Sequence, residues 1–288
     1  MKVSTEIGGV SKLVGEEKAI EYVAKAGFDA WDFSMTTMCK YNRKTASLNP
    51  TTHPLSTDNY LSFARRLRKV AEDNGIRCNQ AHAPFPAEPE MVKPYLFRAI
   101  ECTAEVGGEI CVIHPGPFYT PEQNAQFYDS LLPFAKDCGV KIATENMWDW
   151  DNEKGHSCFA ACATPESFLA HLDAVNDDFF VACLDIGHAE MKGSDTSAVE
   201  MIHALGDRLQ ALHIHDNNKL DDSHQIPFSM DIDFEPIVKA LKEIDYKGYF
   251  TLESICYFQD LPAEEAFRAV KDLYKAVRKL ADMFEEEK

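Results

Sequence analysis

Six apolar, strand-like runs in this chain end in a histidine, an aspartate or a glutamate: His82, His114, Glu145, Asp185, His213 and Glu253. The clearest is Phe179-Phe180-Val181-Ala182-Cys183-Leu184, which closes on Asp185-Ile186-Gly187-His188. A buried strand gains nothing by finishing in a carboxylate or imidazole, because an unpaired polar group there is costly. Six such endings imply that the polar tips converge on a shared partner, and donors of this kind suit a divalent cation. His213 and His215 alternate on one strand and so point to the same side. Blander roles compete at each position. Glu145 could pair with a neighbouring strand, and an inward histidine could be a satisfied core residue. His82 and His114, in His82-Ala83-Pro84 and His114-Pro115-Gly116-Pro117, could simply bond a turn.

These tips must be positioned by the elements around them, and the chain alternates short strands with amphipathic helices. A strand is expected near 2–7, a helix near 16–26 and a strand near 29–34. In that helix Ile20, Val23 and Ala24 form an apolar stripe, Glu16, Glu17, Lys18, Glu21 and Lys25 face solvent, and Gly27 supplies the stop. Further helices are expected near 57–74, 90–106, 121–137, 165–174, 195–205, 234–244 and 262–284, with the polar-tipped strands between them. The acidic run Glu285-Glu286-Glu287 should be a frayed, solvated end. Eight β/α units imply a parallel sheet and an α/β fold, a single (β/α)8 TIM barrel forming one domain over 1–288. In such a barrel all strand C-termini open on one face, so the six tips share one mouth. An open doubly wound sheet is the competing fold, but Gly8-Gly9 is not the G-x-G-x-x-G phosphate loop it would carry.

Composition narrows the function classes. Acidic residues number 47 against 29 basic ones, a formal net charge of −18, which favours solubility and disfavours polyanionic partners. Basic residues do cluster at Lys40, Arg43 and Lys44, and at Arg65, Arg66, Arg68 and Lys69, the latter on a helix expected in the outer ring. No run of roughly eighteen apolar residues suggests a membrane span. The opening Met1-Lys2-Val3-Ser4-Thr5-Glu6-Ile7 reads as a strand rather than a signal peptide. Nine scattered cysteines, with Cys158-x-x-x-Cys162 the only short repeat, suggest reduced thiols in a cytoplasmic protein.

With these residues in place, the chain resembles the xylose isomerase-like TIM-barrel superfamily, from the His82 loop through Glu253. That group includes sugar phosphate isomerase/epimerases, ketose 3-epimerases, inositol catabolism enzymes and endonuclease IV. The ketose 3-epimerases hold one divalent metal with a Glu, an Asp, a His and a Glu, and the resemblance places these at Glu145, Asp185, His213 and Glu253. It implies that Glu145 and Glu253 also move the proton. It makes His188 a substrate contact, His215 a supporting or substrate-facing residue, and Asp151 the counterpart of a substrate-binding glutamate. Endonuclease IV holds three zinc ions with nine ligands, and all nine positions are matched here, the additional ones being His82, His114, His188, Asp222 and His224. The substrate-binding arginine of the epimerases has no counterpart, since Asn217-Asn218-Lys219 stands in its place.

Three carboxylates and one imidazole make a mostly oxygen site that suits Mn²⁺, Mg²⁺ or Co²⁺, with Zn²⁺ feasible. Such an ion polarises a ketose carbonyl and acidifies the adjacent C–H, and carboxylates on either side exchange the proton. Phe33, Phe85, Trp148 and Trp150 follow strand ends and are candidates for an apolar wall against a sugar. The expectation is a metal-dependent sugar or sugar-phosphate isomerase/epimerase acting on a small carbohydrate, with a homo-oligomer left open. A multinuclear-zinc phosphodiester hydrolase acting on abasic-site DNA is the alternative, which the charge disfavours.

Overall fold

The structure is a computed structural model and describes residues 1–286. Eight short strands carry the fold: β1 (Val3–Thr5), β2 (Ala30–Ser34), β3 (Arg77–His82), β4 (Ile110–Val112), β5 (Lys141–Glu145), β6 (Phe180–Asp185), β7 (Leu209–His213) and β8 (Phe250–Leu252). β2 through β7 form one six-stranded parallel sheet in chain order, and β1 pairs in parallel with β8. Single parallel bridges span the two seams, Glu6 with Asp32 and Ile214 with Leu252. Backbone bonds reinforce them: Ile7 N–H to the Asp32 carbonyl at 3.2 Å, and Glu253 N–H to the Ile214 carbonyl at 3.0 Å. The ladder is therefore interrupted where the sequence implies an unbroken ring. β1 and β8 are each three residues long and pair with one another over all three, leaving a single bridge to the sheet on either side.

Helices return the chain between strands. Glu16–Ala26, Tyr60–Asp73, Lys93–Glu105, Pro165–Val175, Ala198–Leu205, Phe234–Glu243 and Ala266–Glu285 fall where the apolar periodicity places them. The helix expected over 121–137 is two, Pro121–Asp129 and Leu132–Asp137. Pro133 has no N–H to continue the first ladder and is tolerated only in a new first turn. Glu285 does not fray but closes the last helix, taking Arg278 Nη2 at 2.9 Å, while Glu287 lies outside the described residues. Two small hairpins, Lys40–Asn42 with Ser47–Asn49 and Asp149–Asp151 with His156–Cys158, were not anticipated. Neither was the single-turn helix Ile186–Ala189. The nine cysteines are all free, and among the described residues no helix is long and apolar enough to cross a membrane.

The period-two alternation of β2 decides which side chains reach the barrel interior. Trp31 and Phe33 pack together in the main apolar cluster, ring centroids 5.3 Å apart, while Asp32 between them points inward. Phe33 is thus fully buried core and no part of a mouth wall. On β3 the register slips: Trp31 pairs with Cys78 and Asp32 with Gln80, leaving Asn79 as the extra residue of a bulge. Asn79 and Gln80 can therefore both turn toward the interior, which a regular strand forbids.

Candidate metal centre

His82, Glu145, Asp185 and His213 are the last residues of β3, β5, β6 and β7, and Glu253 follows β8 directly. His114 sits two residues past the end of β4. Their donor atoms gather into groups of three or four, each confined within 4.8 Å. The first group is Glu145, Asp185, His213 and Glu253, the four residues assigned from the resemblance. Within it His213 Nδ1 lies 2.8 Å from Glu145 Oε1 and 3.7 Å from Glu253 Oε2. The second is His82, His114 and Glu145, with His114 Nε2 2.9 Å from both Glu145 Oε2 and His82 Nε2. His188, His215, Asp222 and His224 make the third. Asp222 Oδ2 is 3.3 Å from His188 Nε2 and 3.2 Å from His224 Nε2, and His215 stacks on His224 at 3.9 Å.

The groups are joined. Glu145 belongs to the first two, and Asp185 Oδ1 lies 3.1 Å from His215 Nε2 of the third. Local structure fixes the corner between them. Asp185 accepts the His188 N–H at 2.7 Å as the cap of the Ile186–Ala189 turn. That turn brings His188 around so that its Nδ1 meets the Asn146 carbonyl at 2.9 Å, while the Asn146 amide clasps the Asp185 backbone at 2.8 and 2.9 Å. Gly187 is required here, because a Cβ would lie 2.0 Å from His215 Cε1.

The donor atoms pass a test for a cation. Glu145 Oε2, Asp185 Oδ2, Asp222 Oδ1 and His215 Nε2, all on residues of these groups, are buried without a hydrogen bond. Leaving such groups unmade costs about 1–3 kcal/mol each, more for charged ones, so four together fit a site built for a positive ion. Protonation states agree. Burial alone would raise Glu145, but His213 and His114 hold it well below the carboxylate range. Asp222 is likewise held down against burial by His188 and His224. His188 is pushed up to about 10, Asp185 and Asp222 outweighing its burial. Glu253 goes the other way: burial raises it to about 8, with His213 and His224 opposing. Without an ion, imidazolium protons supply the positive charge that these carboxylates demand.

Other expected residues divide. Trp148 joins the third group, donating Nε1–H to Asp222 Oδ2 at 3.3 Å. His215 is fully buried and belongs to the third group. Asp151 turns back on its own hairpin, accepting from the Glu153 and Lys154 N–H groups at 2.9 and 3.1 Å, and no hydrogen bond or ion pair among the described residues ties it to the centre. A carboxylate opening a tight turn satisfies its nearest N–H donors first. Where the epimerase arginine would stand, Asn217 is buried and donates to the Gly187 carbonyl at 2.9 Å. Lys154 and Lys219 are paired with Asp151 and Glu190. Phe85 remains at the rim, 40% exposed, its ring 4.6 Å from His114 and 5.5 Å below the Arg43 guanidinium. One residue was missed: buried Asp32, whose Oδ2 lies 3.3 Å from His213 Nε2. The sequence signal was an acid inside the apolar run Ala30-Trp31-Asp32-Phe33.

Residues 20–277 match the family model described as a xylose isomerase-like TIM barrel. The chain is 30% identical over 270 residues to an uncharacterised protein of Methanocaldococcus jannaschii, covering 85% of this chain and 83% of that one. It is 25% identical over 251 residues to an L-ribulose 3-epimerase of Methylomonas sp., covering 83% and 78%. Its fold is similar to the crystal structure of a D-tagatose 3-epimerase-like protein, with a TM-score of 0.68 at 24% identity over 98% of this chain and 100% of that one. The chain belongs to the xylose isomerase-like TIM-barrel family.

Proposed function

We propose that this protein is a divalent-metal-dependent isomerase or epimerase of a small sugar or sugar phosphate, its eight strands forming one closed (β/α)8 ring and one domain. The observation that carries the reading is the convergence of Glu145, Asp185, His213 and Glu253 donor atoms within 4.8 Å at adjacent strand ends. These four would hold the ion, Mn²⁺, Mg²⁺ or Co²⁺ suiting an oxygen-rich set and Zn²⁺ being feasible. When bound it would supply Lewis acidity toward the substrate carbonyl, acidifying the neighbouring C–H. Glu253 and Glu145 do the proton work. Glu253, whose donor oxygen lies within the same group as Glu145, is the second carboxylate placed to exchange a proton with the substrate. Glu145, kept ionised by His213 and His114, is the carboxylate that accepts from the opposite side as the enediolate forms. The resemblance to an L-ribulose 3-epimerase supports the substrate class.

The test is deuterium incorporation from solvent into a panel of ketoses and ketose phosphates with added Mn²⁺. Exchange at a carbon next to the carbonyl is expected, and Glu253→Gln should lower its rate by roughly 10²–10⁴-fold with the fold intact. Unchanged exchange in that variant removes Glu253 from catalysis.

A second reading is a multinuclear-zinc phosphodiester hydrolase, and one observation favours it. Two imidazole-rich groups border the first and share or touch its carboxylates, a composition that suits zinc. Charge opposes it. Arg65, Arg66, Arg68 and Lys69 are already paired with Glu105, Glu17, Glu72 and Asp73. Three zinc ions per chain, cleavage of abasic-site DNA and no C–H exchange would establish it in place of the isomerase.

A further inference from the structure

Asp32 is fully buried in the middle of β2 and belongs to none of the donor groups. Its Oδ2 accepts from Gln80 Nε2 at 2.9 Å and faces His213 Nε2 at 3.3 Å. Gln80 is not free to reverse its amide. Its Oε1 takes Asn79 Nδ2 at 3.2 Å and Thr251 Oγ1 at 3.3 Å, and Asn79 Oδ1 in turn takes the Ser4 hydroxyl at 2.6 Å. Every link runs donor to acceptor in one sense, from Ser4 in β1 across β3 to Asp32. The bulge at Asn79 makes this column possible, since it turns two consecutive polar side chains inward.

A carboxylate has no N–H to give, so the ring nitrogen that faces it must carry the proton. The other nitrogen of His213, Nδ1, also faces a carboxylate, Glu145 Oε1 at 2.8 Å, and so carries a proton in the metal-free ring. It is the one that points into the donor group and the one whose proton an ion would displace. We propose that Asp32 is a positioning residue that holds His213 as its Nε2–H tautomer and so leaves Nδ1 as the atom offered to an ion. The proposal rests on reading the strand-end cluster as a metal centre. A carboxylate behind a ligating imidazole orients the ring and raises its basicity, and removing such a partner weakens metal binding by about 10–100-fold. The column through Gln80 and Asn79 ties that orientation to the strand register, so His213 does not depend on the ion for its pose.

The experiment has two arms. The first measures Zn²⁺ and Mn²⁺ affinity by chelator competition for the wild type and Asp32→Asn, whose amide keeps the shape but can present either a donor or an acceptor to the ring. Affinity about 10–100-fold weaker in the variant, at an unchanged thermal midpoint, is expected. The second arm needs no variant at position 32. Long-range ¹⁵N–¹H spectra of the ring nitrogens in Zn²⁺-loaded wild type, assigned by loss of one signal set in His213→Gln, should show the proton on Nε2. A proton on Nδ1, or equal affinity in wild type and Asp32→Asn, overturns the role of Asp32 while leaving the metal centre standing. A wild type that binds no ion overturns the metal centre and this role with it.

Discussion

Loading the centre with a divalent ion should become easier as pH rises, and Glu253 accounts for a defined part of that slope. Burial lifts its carboxyl from the usual 4.5 to about 8, with His213 and His224 opposing the rise and Glu145 and Asp185 adding to it. A carboxylate must be ionised to ligate. With a pKa near 8, Glu253 is ionised in about 1% of metal-free molecules at pH 6, roughly 10% at pH 7 and about half at pH 8. Apparent affinity should therefore rise by roughly 50-fold from pH 6 to pH 8 on this residue's account, then level off. His213 adds its own proton, since Cys183, Glu253 and Glu145 hold it well above the usual imidazole range despite its burial.

Glu253→Gln separates the two contributions. A glutamine has no proton to lose, so the plot of log affinity against pH should be shallower than wild type by about one below pH 8. Calorimetric titration with Mn²⁺ in buffers of different ionisation heat should count about 0.9 fewer protons released at pH 7 in the variant. The sign carries over to stability. A raised carboxyl stabilises the metal-free fold fully below about 4.5, and that contribution is lost as pH climbs toward about 8. The ion-induced rise in melting temperature should therefore widen across the same window. A wild-type affinity that is flat from pH 6 to 8, or a Gln variant with the wild-type slope, refutes the reasoning.

Gly187→Ala should cost about 1–3 kcal/mol, because its Cβ meets a buried, stacked imidazole that has no room to yield. Calorimetry should show a melting temperature lower by several degrees, and an unchanged midpoint would contradict the close packing of His215 on the turn. Arg43 stacks over Phe85 at the rim and has no carboxylate partner among the described residues. If the substrate carries a phosphate, Arg43→Ala should raise KM for a ketose phosphate by roughly tenfold through loss of a charge-assisted contact, and leave the free ketose unaffected. Equal effects on both sugars would remove Arg43 from substrate recognition.

Position along a strand is what made the centre legible. In a parallel barrel every strand C-terminus opens on one face, so a polar residue closing an apolar run can be placed without knowing the register. His82, Glu145, Asp185 and His213 were readable in this way, and Glu253 and His114 survive it although the ladder stops before them. Asp222 and His224 lie on no strand, and only the resemblance reached them. Asp32 escaped because it sits two residues short of its strand end, where alternation alone decides which side it faces. Asn79 was harder still, since its inward turn depends on a bulge that breaks the period-two rule. The hairpins after β2 and β5 have strands of three residues, too short for any periodicity to register. Asp151 was reached through the resemblance alone, and the turn its carboxylate closes could not be read without the hairpin.

The sharing of residues between donor groups governs how mutations here must be interpreted. Glu145 Oε1 faces His213 and Oε2 faces His114, and a further group joins Glu145 to Cys183 and His213, so replacing it removes a carboxylate from three groups at once. Asp185 is similar, being a donor of the first group and a 3.1 Å neighbour of His215 in the third. Losses at Glu145 and Asp185 therefore cannot be summed as independent contributions, because residues in one network couple by about 0.5–3 kcal/mol. His114 and His224 each belong to one group and distinguish the alternatives better. An isomerase served by the first group alone keeps its ion when either is replaced, whereas a multinuclear hydrolase loses one ion with each.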